Sequence, residues 1–398
     1  MIVELHVPAS IVSVMISLPI IFAPFRALIG FRSDNHKSAF GWRRVPFIWM
    51  GTLVQFGGLS IMPFALLVLS GAGQSAQAPV WIGWAASGLA FLLVGAGIHI
   101  TQTVGLALAT DLAPEVDQPK VVGLMYVMQL LGMIVSALIF GLALNEFSPG
   151  KLIQVIQAAA IITLLLNVIS LWKQEPRGQV EKKSSREPSF LDSWLTFAQG
   201  GNAKRRLLAV GFGTMAFSMN EVLLEPYGGQ ILGMSVSDTT MLTAILAAGG
   251  LIGFSWASRV LSKGTDPFFM ASMGALVGIP AFILITLSAP LGLREIFLLG
   301  TFLIGFGGGL FSHGTLTATM QLAPSDQRGL ALGAWGAVQA TAAGIAIGLG
   351  GVIRDLIVAL DAANWLPEGL IGPATGYSFV YCLEIGLLVA TIFSMTTL

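Results

Sequence analysis

The sequence predicts an all-α integral membrane protein built as two related helix bundles, and three observations support this prediction. Hydrophobic residues make up 55% of the chain and charged residues only 10%, whereas a soluble domain averages about 25% charged residues. Eleven apolar runs approach the roughly 20 residues that a helix needs to cross a bilayer. Short sequence matches also relate the two halves of the chain. A soluble enzyme is therefore not expected.

Composition narrows the possible functions further. The 48 glycines would weaken helices in water, but in a membrane they let helix backbones approach closely. The net charge of zero makes nucleic acid an unexpected partner. The single cysteine, Cys382, excludes an internal disulfide. The predicted spans lie near residues 8–29, 46–70, 81–109, 121–144, 151–172, 207–230, 239–260, 267–288, 295–320, 329–353 and 373–396.

Basic residues predict the orientation of the chain in a bacterial inner membrane. Segments 26–44, 120, 173–206, 259–263 and 328 hold 17 of the 20 lysines and arginines. Cytoplasmic loops carry an excess of these residues. We therefore expect these segments and the C-terminus in the cytoplasm, and the N-terminus outside.

One long polar segment, 173–206, predicts the division into domains. It separates an N-terminal bundle of five spans, 1–172, from a C-terminal bundle of six spans, 207–398. Apolar residues recur at helical spacing in 189–200, which predicts a short amphipathic helix on the cytoplasmic face. A loop helix packed on the bundle is the alternative.

The two halves also share short motifs in the same order, which predicts an internal repeat. Asp111-Leu-Ala-Pro114 matches Gln321-Leu-Ala-Pro324 at an offset of 210 residues. The same offset pairs Gly95 with Gly305, Gly97 with Gly307, Gly123 with Gly333 and Gln129 with Gln339. The span 207–230 has no counterpart in the first half, so we expect that a first helix is absent from this sequence. A doubled six-helix arrangement is typical of the major facilitator superfamily.

A motif after the first span resembles a signature of that superfamily. Its residues are Gly30, Asp34, Gly41, Arg43 and Arg44. The resemblance implies a major-facilitator-like fold and a latch on the cytoplasmic side, formed by this motif. The alternative is that these charges only set the topology.

Three longer stretches resemble one branch of the superfamily, the PucC/LhaA group. They are Ala23–Phe47, Glu221-Val-Leu-Leu-Glu225-Pro-Tyr-Gly-Gly229, and Pro373–Tyr377 with Glu384-Ile-Gly386. The resemblance implies a light-harvesting antenna assembly factor that binds or delivers bacteriochlorophyll. It also implies light-harvesting or reaction-centre polypeptides as partners, besides the lipid bilayer.

Two carboxylates stand out within the spans. Glu221 and Glu225 are four residues apart and share one helix face. A charge at membrane depth is costly and usually faces a cavity or a partner. We expect the helix to break at Pro226 and Gly228-Gly229, so a helix-end pair that reaches water is the alternative.

Two histidines, His99 and His313, also lie within spans. A neutral imidazole can ligate the magnesium of a chlorophyll, although a hydrogen bond to a neighbouring helix is the alternative for each. The other candidates for a cavity or pigment contact are Tyr227, Gln102, Gln129, Gln339 and Glu384. No nucleotide loop, HExxH motif or nucleophile elbow occurs, so we predict neither a catalytic nor a metal site.

Two further functions remain open. A secondary transporter of a small amphipathic solute would fit the paired bundles, with Glu221 or Glu225 as its proton-coupling acid. A permanent structural subunit of a photosynthetic complex is the other alternative.

Overall fold

The computed structural model describes residues 1–22, 29, 32–33, 36, 41–71, 77–114, 118–175, 203–322, 328–367 and 372–395. All regular structure within these residues is helical. The helices are α1 (Ala9–Ser17), α2 (Val45–Ser70), α3 (Val80–Asp111), α4 (Gln118–Ala143), α5 (Pro149–Ser170), α6 (Ala203–Ser218), α7 (Leu224–Gln230), α8 (Val236–Leu261), α9 (Pro267–Leu291), α10 (Arg294–Leu322), α11 (Arg328–Ala362) and α12 (Thr375–Met395). Two 3₁₀ turns, Leu18–Phe22 and Met219–Val222, follow α1 and α6.

Ten helical segments in the described residues are long and apolar enough to cross a membrane. They coincide with ten of the eleven predicted spans, with α6, the 3₁₀ turn and α7 together forming one. The remaining predicted span, 8–29, is described only in part, as the shorter apolar helix Ala9–Ile20. The predicted amphipathic helix at 189–200 lies outside the described residues.

The chain divides into two compact units. One comprises Met1–Val14, Leu130–Asn145 and Glu187–Leu398, and the other Met15–Gln129 and Glu146–Arg186. The proposed domain division at the polar segment 173–206 stays a prediction.

Short polar side chains cap the starts of α8 and α9. Ser235 and Asp238 form a capping box at the start of α8, and the Asp266 carboxylate accepts the Phe268 N–H at the start of α9. Both satisfy backbone donors that have no partner inside the helix. At its other end, α9 stops at Gly292, whose φ of 64° favours glycine.

Glycines that are paired by the repeat contact corresponding helices. A Cβ on Gly97 would lie 2.5 Å from the Gly51 carbonyl oxygen of α2, and one on Gly307 would lie 2.7 Å from the Gly274 carbonyl oxygen of α9. One step earlier, Gly95 packs on Pro19 and Gly305 on the Leu246 carbonyl. The helix order is therefore repeated in the packing, which agrees with the internal repeat.

The span from 203 to 230 is interrupted, but not where the sequence suggested. The break is the 3₁₀ turn Met219–Val222, and α7 continues through Pro226 and Gly228-Gly229. Pro226 lies in the first turn of α7, where a missing N–H removes no helical hydrogen bond. The expected break at Pro226 and Gly228-Gly229 is therefore wrong, and the true break lies one turn earlier.

Replacing Gly249 by alanine should destabilise the packing of α8 on α10. The new Cβ would overlap the Phe302 carbonyl oxygen, a backbone atom that cannot move aside. Overpacking of this kind costs about 1–3 kcal/mol. Thermal unfolding in detergent, followed by tryptophan fluorescence, should show a lower Tm.

Gly386→Ala is the matched control, because a Cβ at Gly386 meets nothing within 4 Å. Its Tm should stay within error of the unchanged protein. Equal Tm values for the two variants would contradict the packing account.

Candidate functional site

The interrupted span presents two accessible carboxylates. The side chains of Glu221, in the 3₁₀ turn, and Glu225, in the first turn of α7, are both exposed. Glu225 accepts a hydrogen bond of 3.1 Å from the Thr243 hydroxyl of α8. Among the described residues, no hydrogen bond or ion pair to the Glu221 carboxylate is found. Glu221 is thus a free acid partway along a membrane-spanning segment.

The residue before Glu221 points the other way, into the protein. Asn220 is buried, and its Nδ2 donates a 3.0 Å hydrogen bond to Oε1 of Glu384 on α12. Glu384 is fully buried, and its Oε2 has no hydrogen-bond partner in the described part of the chain. An isolated charge would be very costly in such surroundings, so Asn220 is the one polar support of this carboxyl group.

Three buried tyrosines, Tyr227, Tyr377 and Tyr381, form a cluster in the same unit. The ring centroid of Tyr227 lies 5.5 Å from that of Tyr377 and 5.6 Å from that of Tyr381, both edge-on. The Tyr227 hydroxyl donates to the Ile285 carbonyl at 2.9 Å. Tyr227 was predicted to contact a cavity or pigment, but its side chain is fully buried and its hydroxyl already bonded.

Charged groups of α11 complete the polar network. The Arg354 guanidinium lies 4.7 Å from the Tyr377 ring centroid, donates to Gln230 Oε1 at 2.9 Å and pairs with Asp355. The other oxygen of Asp355 accepts the Ser10 N–H at 2.7 Å. The network therefore joins α1, α7, α11 and α12 within this unit.

The other candidates are placed separately. His313, on α10, packs edge-on against Phe254 with ring centroids 4.2 Å apart, and its Nδ1 is buried without a partner in the described chain. His99 on α3 and Gln339 on α11 are half-buried, whereas Gln102 on α3 and Gln129 on α4 are exposed. These placements do not gather the candidates into one cluster, and their roles stay predictions.

The basic pair of the predicted latch is partnered by acids that the sequence reasoning missed. Arg44 is buried, and its Nε donates to Asp111 Oδ2 at 2.7 Å; Arg43 also binds Asp111. The Glu175 carboxylate accepts the backbone N–H groups of Arg43, Arg44 and Val45 at 2.8–3.0 Å. Glu175 thereby caps α2, whose positive end favours an anion.

Of the three remaining residues of the predicted latch, only Gly41 lies in the described part of the chain. Gly41 has a φ of 76°, which favours glycine and turns the chain before the basic pair. Gly30 and Asp34 lie outside the described residues. Asp111 could have been suspected from its place in the Asp-Leu-Ala-Pro repeat; for Glu175, local sequence carried no signal.

Within the described residues, no group of three or more histidine, cysteine or acidic side chains could hold a metal ion. The arrangement instead offers a free carboxylate, Glu221, beside a buried and fully packed polar core.

The fold defines the class: the chain has a major-facilitator-like fold and is a multi-pass membrane protein. It resembles a D-xylose–proton symporter with a TM-score of 0.71 at 15% identity, covering 96% of this chain and 87% of that one. It also resembles the nucleoside transporter NupG, as a D323A mutant, with a TM-score of 0.68 at 15% identity, covering 100% and 92%.

Within that class, the chain belongs to the PUCC protein family, which it matches over residues 1–398. It is 63% identical to Protein PucC of Rhodovulum sulfidophilum over 90% of this chain and 80% of the relative. Identity to Protein PucC of Cereibacter sphaeroides is 55%, over 98% and 84%. A protein named Bacteriochlorophyll synthase 44.5 kDa chain, from Rhodobacter capsulatus, is 24% identical over 90% and 82%.

Removing the partner of the buried carboxyl group should destabilise the protein. Asn220→Leu leaves Glu384 without its hydrogen bond, which costs about 1–3 kcal/mol for a buried polar group. Replacing both members of a buried polar pair by apolar side chains of similar size leaves no unsatisfied polar group. The double variant Asn220→Leu/Glu384→Met should therefore recover much of this loss. Denaturant unfolding of all variants measures the coupling.

Glu384→Gln serves as the control, since it keeps the acceptor oxygen that faces Asn220. An Asn220→Leu protein as stable as the unchanged one, or a double variant less stable than either single one, would refute this account.

Asp111→Asn should also lower stability, because it removes the charged acceptor of the hydrogen bond from the buried Arg44 Nε. Loss of a charged hydrogen-bond partner costs about 1.5–3 kcal/mol. Glu146→Gln removes an exposed acid that has no partner in the described chain and should change Tm little. Similar Tm shifts for the two variants would argue against a specific Arg44–Asp111 pair.

Proposed function

We propose that this protein is a non-enzymatic assembly factor of photosynthetic complexes, which holds bacteriochlorophyll in the inner membrane and delivers it to antenna polypeptides. Family membership supports the general role. The name of the relative called Bacteriochlorophyll synthase 44.5 kDa chain supports the choice of pigment. Light-harvesting or reaction-centre polypeptides are the proposed partners, and the 173–206 loop and the C-terminus are proposed to face the cytoplasm.

The observation that carries the proposal is the free carboxylate of Glu221. Acids within a span are rare, and each needs a partner, a cavity or a ligand. Its neighbour Asn220 is already committed to Glu384, and Glu225 to Thr243. Glu221 has no such partner among the described residues, so a ligand is the simplest explanation for it.

A bacteriochlorophyll needs an axial donor atom for its magnesium and an apolar surface for its ring. Magnesium prefers oxygen donors, and the Glu221 carboxylate supplies one that the protein does not use. His313 fits less well, because its side chain is half-buried and its ring packs edge-on against Phe254. We therefore favour Glu221 as the pigment-holding residue, with His313 as the secondary choice.

The test is co-purification from a phototrophic bacterium whose own copy has been deleted. The tagged protein, extracted in a mild detergent, should retain bacteriochlorophyll, measured by near-infrared absorption, and antenna polypeptides, identified by mass spectrometry. Glu221→Ala should lower the pigment per protein by at least about tenfold, the effect expected for disturbing a metal ligand.

Glu146→Ala is the control for loss of one negative charge, since Glu146 is exposed and outside the helices. It should retain pigment like the unchanged protein. If neither pigment nor antenna or reaction-centre polypeptides accompany the unchanged protein, the proposal fails.

A second candidate function is transport of a small amphipathic solute. The fold, shared with transporters at TM-scores near 0.7, and the accessible Glu221 favour it, because proton coupling needs an acid that can gain and lose a proton.

Proteoliposomes test this candidate with labelled octyl glucoside below its micelle concentration as the probe. Proton-driven uptake above that of protein-free vesicles, abolished by Glu221→Gln and kept by Glu146→Gln, would support transport. Uptake equal to that of protein-free vesicles would contradict it for this probe, and a permanent place in a purified photosynthetic complex would favour the structural alternative.

A further inference from the structure

An open apolar groove runs along the second half of α8, away from the Glu221 region in the sequence. Its volume is about 590 Å³, within the range of roughly 300–1,000 Å³ that is usual for small-molecule sites. Ile252 and Trp256 in its wall are about half exposed. The groove is lined by Leu251, Ile252, Ser255, Trp256, Arg259 and Phe306.

One wall of the groove is flat and aromatic. Trp256 and Phe306 stack with ring centroids 5.9 Å apart and an angle of 25° between their planes. Phe302 extends the wall, 6.5 Å from Phe306 and tilted by only 14°. The wall is held rigidly, because Gly249 and Gly253 let α8 and α10 approach to backbone contact behind it.

Two cations follow each other at the end of α8, and one of them lines the groove. Arg259 lines it, and Lys263 follows one turn later, just beyond the end of α8. In the described part of the chain, neither side chain makes a hydrogen bond or ion pair. The nearest acid in sequence, Asp266, is engaged at the start of α9, where it accepts the Phe268 N–H at 3.0 Å.

The groove has an apolar part and a cationic end, as expected for a site at the boundary between the bilayer interior and its headgroups. Arg259 and Lys263 belong to the segments predicted to face the cytoplasm, whose leaflet carries anionic lipids. The groove extends from them towards the middle of the span. Its apolar length matches a hydrocarbon chain, and its end matches a negatively charged headgroup.

We propose that this groove binds an anionic phospholipid, with one acyl chain along Ile252, Trp256 and Phe306 and the phosphate on Arg259 and Lys263. Charge complementarity selects this occupant, because two cations without a partner among the described residues favour an anion over a neutral pigment or a zwitterionic lipid. Guanidinium groups bind phosphate oxygens in a bidentate manner, so Arg259 contributes more than Lys263. The proposal is independent of the pigment-holding role of Glu221.

Lipid retention by the full-length protein tests this proposal. The protein is reconstituted into nanodiscs of mixed phosphatidylglycerol and phosphatidylcholine, released into mild detergent, and examined by native mass spectrometry. The unchanged protein should retain phosphatidylglycerol preferentially. Arg259→Gln should lower that retention by about fivefold and Lys263→Gln by a smaller factor, and the phosphatidylcholine signal should not change.

Two further variants separate the site from general effects. Lys151→Gln removes a cation from the first turn of α5 and should retain phosphatidylglycerol normally. Trp256→Ala opens the aromatic wall without changing charge and should lower retention of the same lipid. Should Arg259→Gln fold poorly, Trp256→Ala still tests the groove.

Several outcomes would overturn the proposal. One is equal phosphatidylglycerol retention by Arg259→Gln and Lys151→Gln. Another is an equal loss of both lipids in the Arg259 and Lys263 variants, which would indicate general damage. A carboxylated tetrapyrrole retained in place of lipid, and lost with Arg259, would assign the groove to a pigment instead.

Discussion

Backbone contact between helices at glycine is the constraint on which this structure depends. In a bilayer, apolar side chains gain little by leaving lipid for protein, so helices associate through close packing. Gly97 against α2 and Gly307 against α9 bring consecutive helices to within backbone contact, at equivalent places in the two halves. Because these contacts are repeated, each half forms its helix pairs in the same way. The glycine content that would weaken a soluble helical protein is here the means of its assembly.

The 3₁₀ turn Met219–Val222 distributes polar groups between the interior and an accessible face. A continuous α-helix would place Asn220 and Glu221 about 100° apart, and the turn changes this register. Asn220 supports the buried Glu384, and Glu221 has no hydrogen-bond or ion-pair partner in the part of the chain that the structure describes. Gly350 makes room for the turn, since a Cβ there would lie 2.5 Å from the Met219 carbonyl oxygen. Two adjacent residues therefore have different roles. Asn220 stabilises the interior through Glu384, and Glu221 is the candidate ligand-binding acid.

The two halves satisfy the backbone donors at the starts of two equivalent helices, α2 and α9, in different ways. In the second half, the local Asp266 caps α9. In the first half, the equivalent helix α2 begins at Val45 without a side-chain cap of its own, and the distant Glu175 provides it. This makes the start of α2 depend on the chain that follows α5. Arg44, buried between Asp111 and Ser33, ties the end of α3 to the same place.

The sequence by itself determined the membrane class, the positions of ten spans and the internal repeat, because hydropathy and glycine spacing are local properties of the chain. It also marked Glu221, since an acid in an apolar run is conspicuous. Tertiary structure alone decided which polar groups meet. Asn220 with Glu384 and Arg44 with Asp111 and Glu175 join residues 67 to 164 positions apart, and helix packing, which no local pattern encodes, brings them together. The 3₁₀ turn Met219–Val222 also packs on Gly350 of α11, a contact that no local pattern in the span encodes.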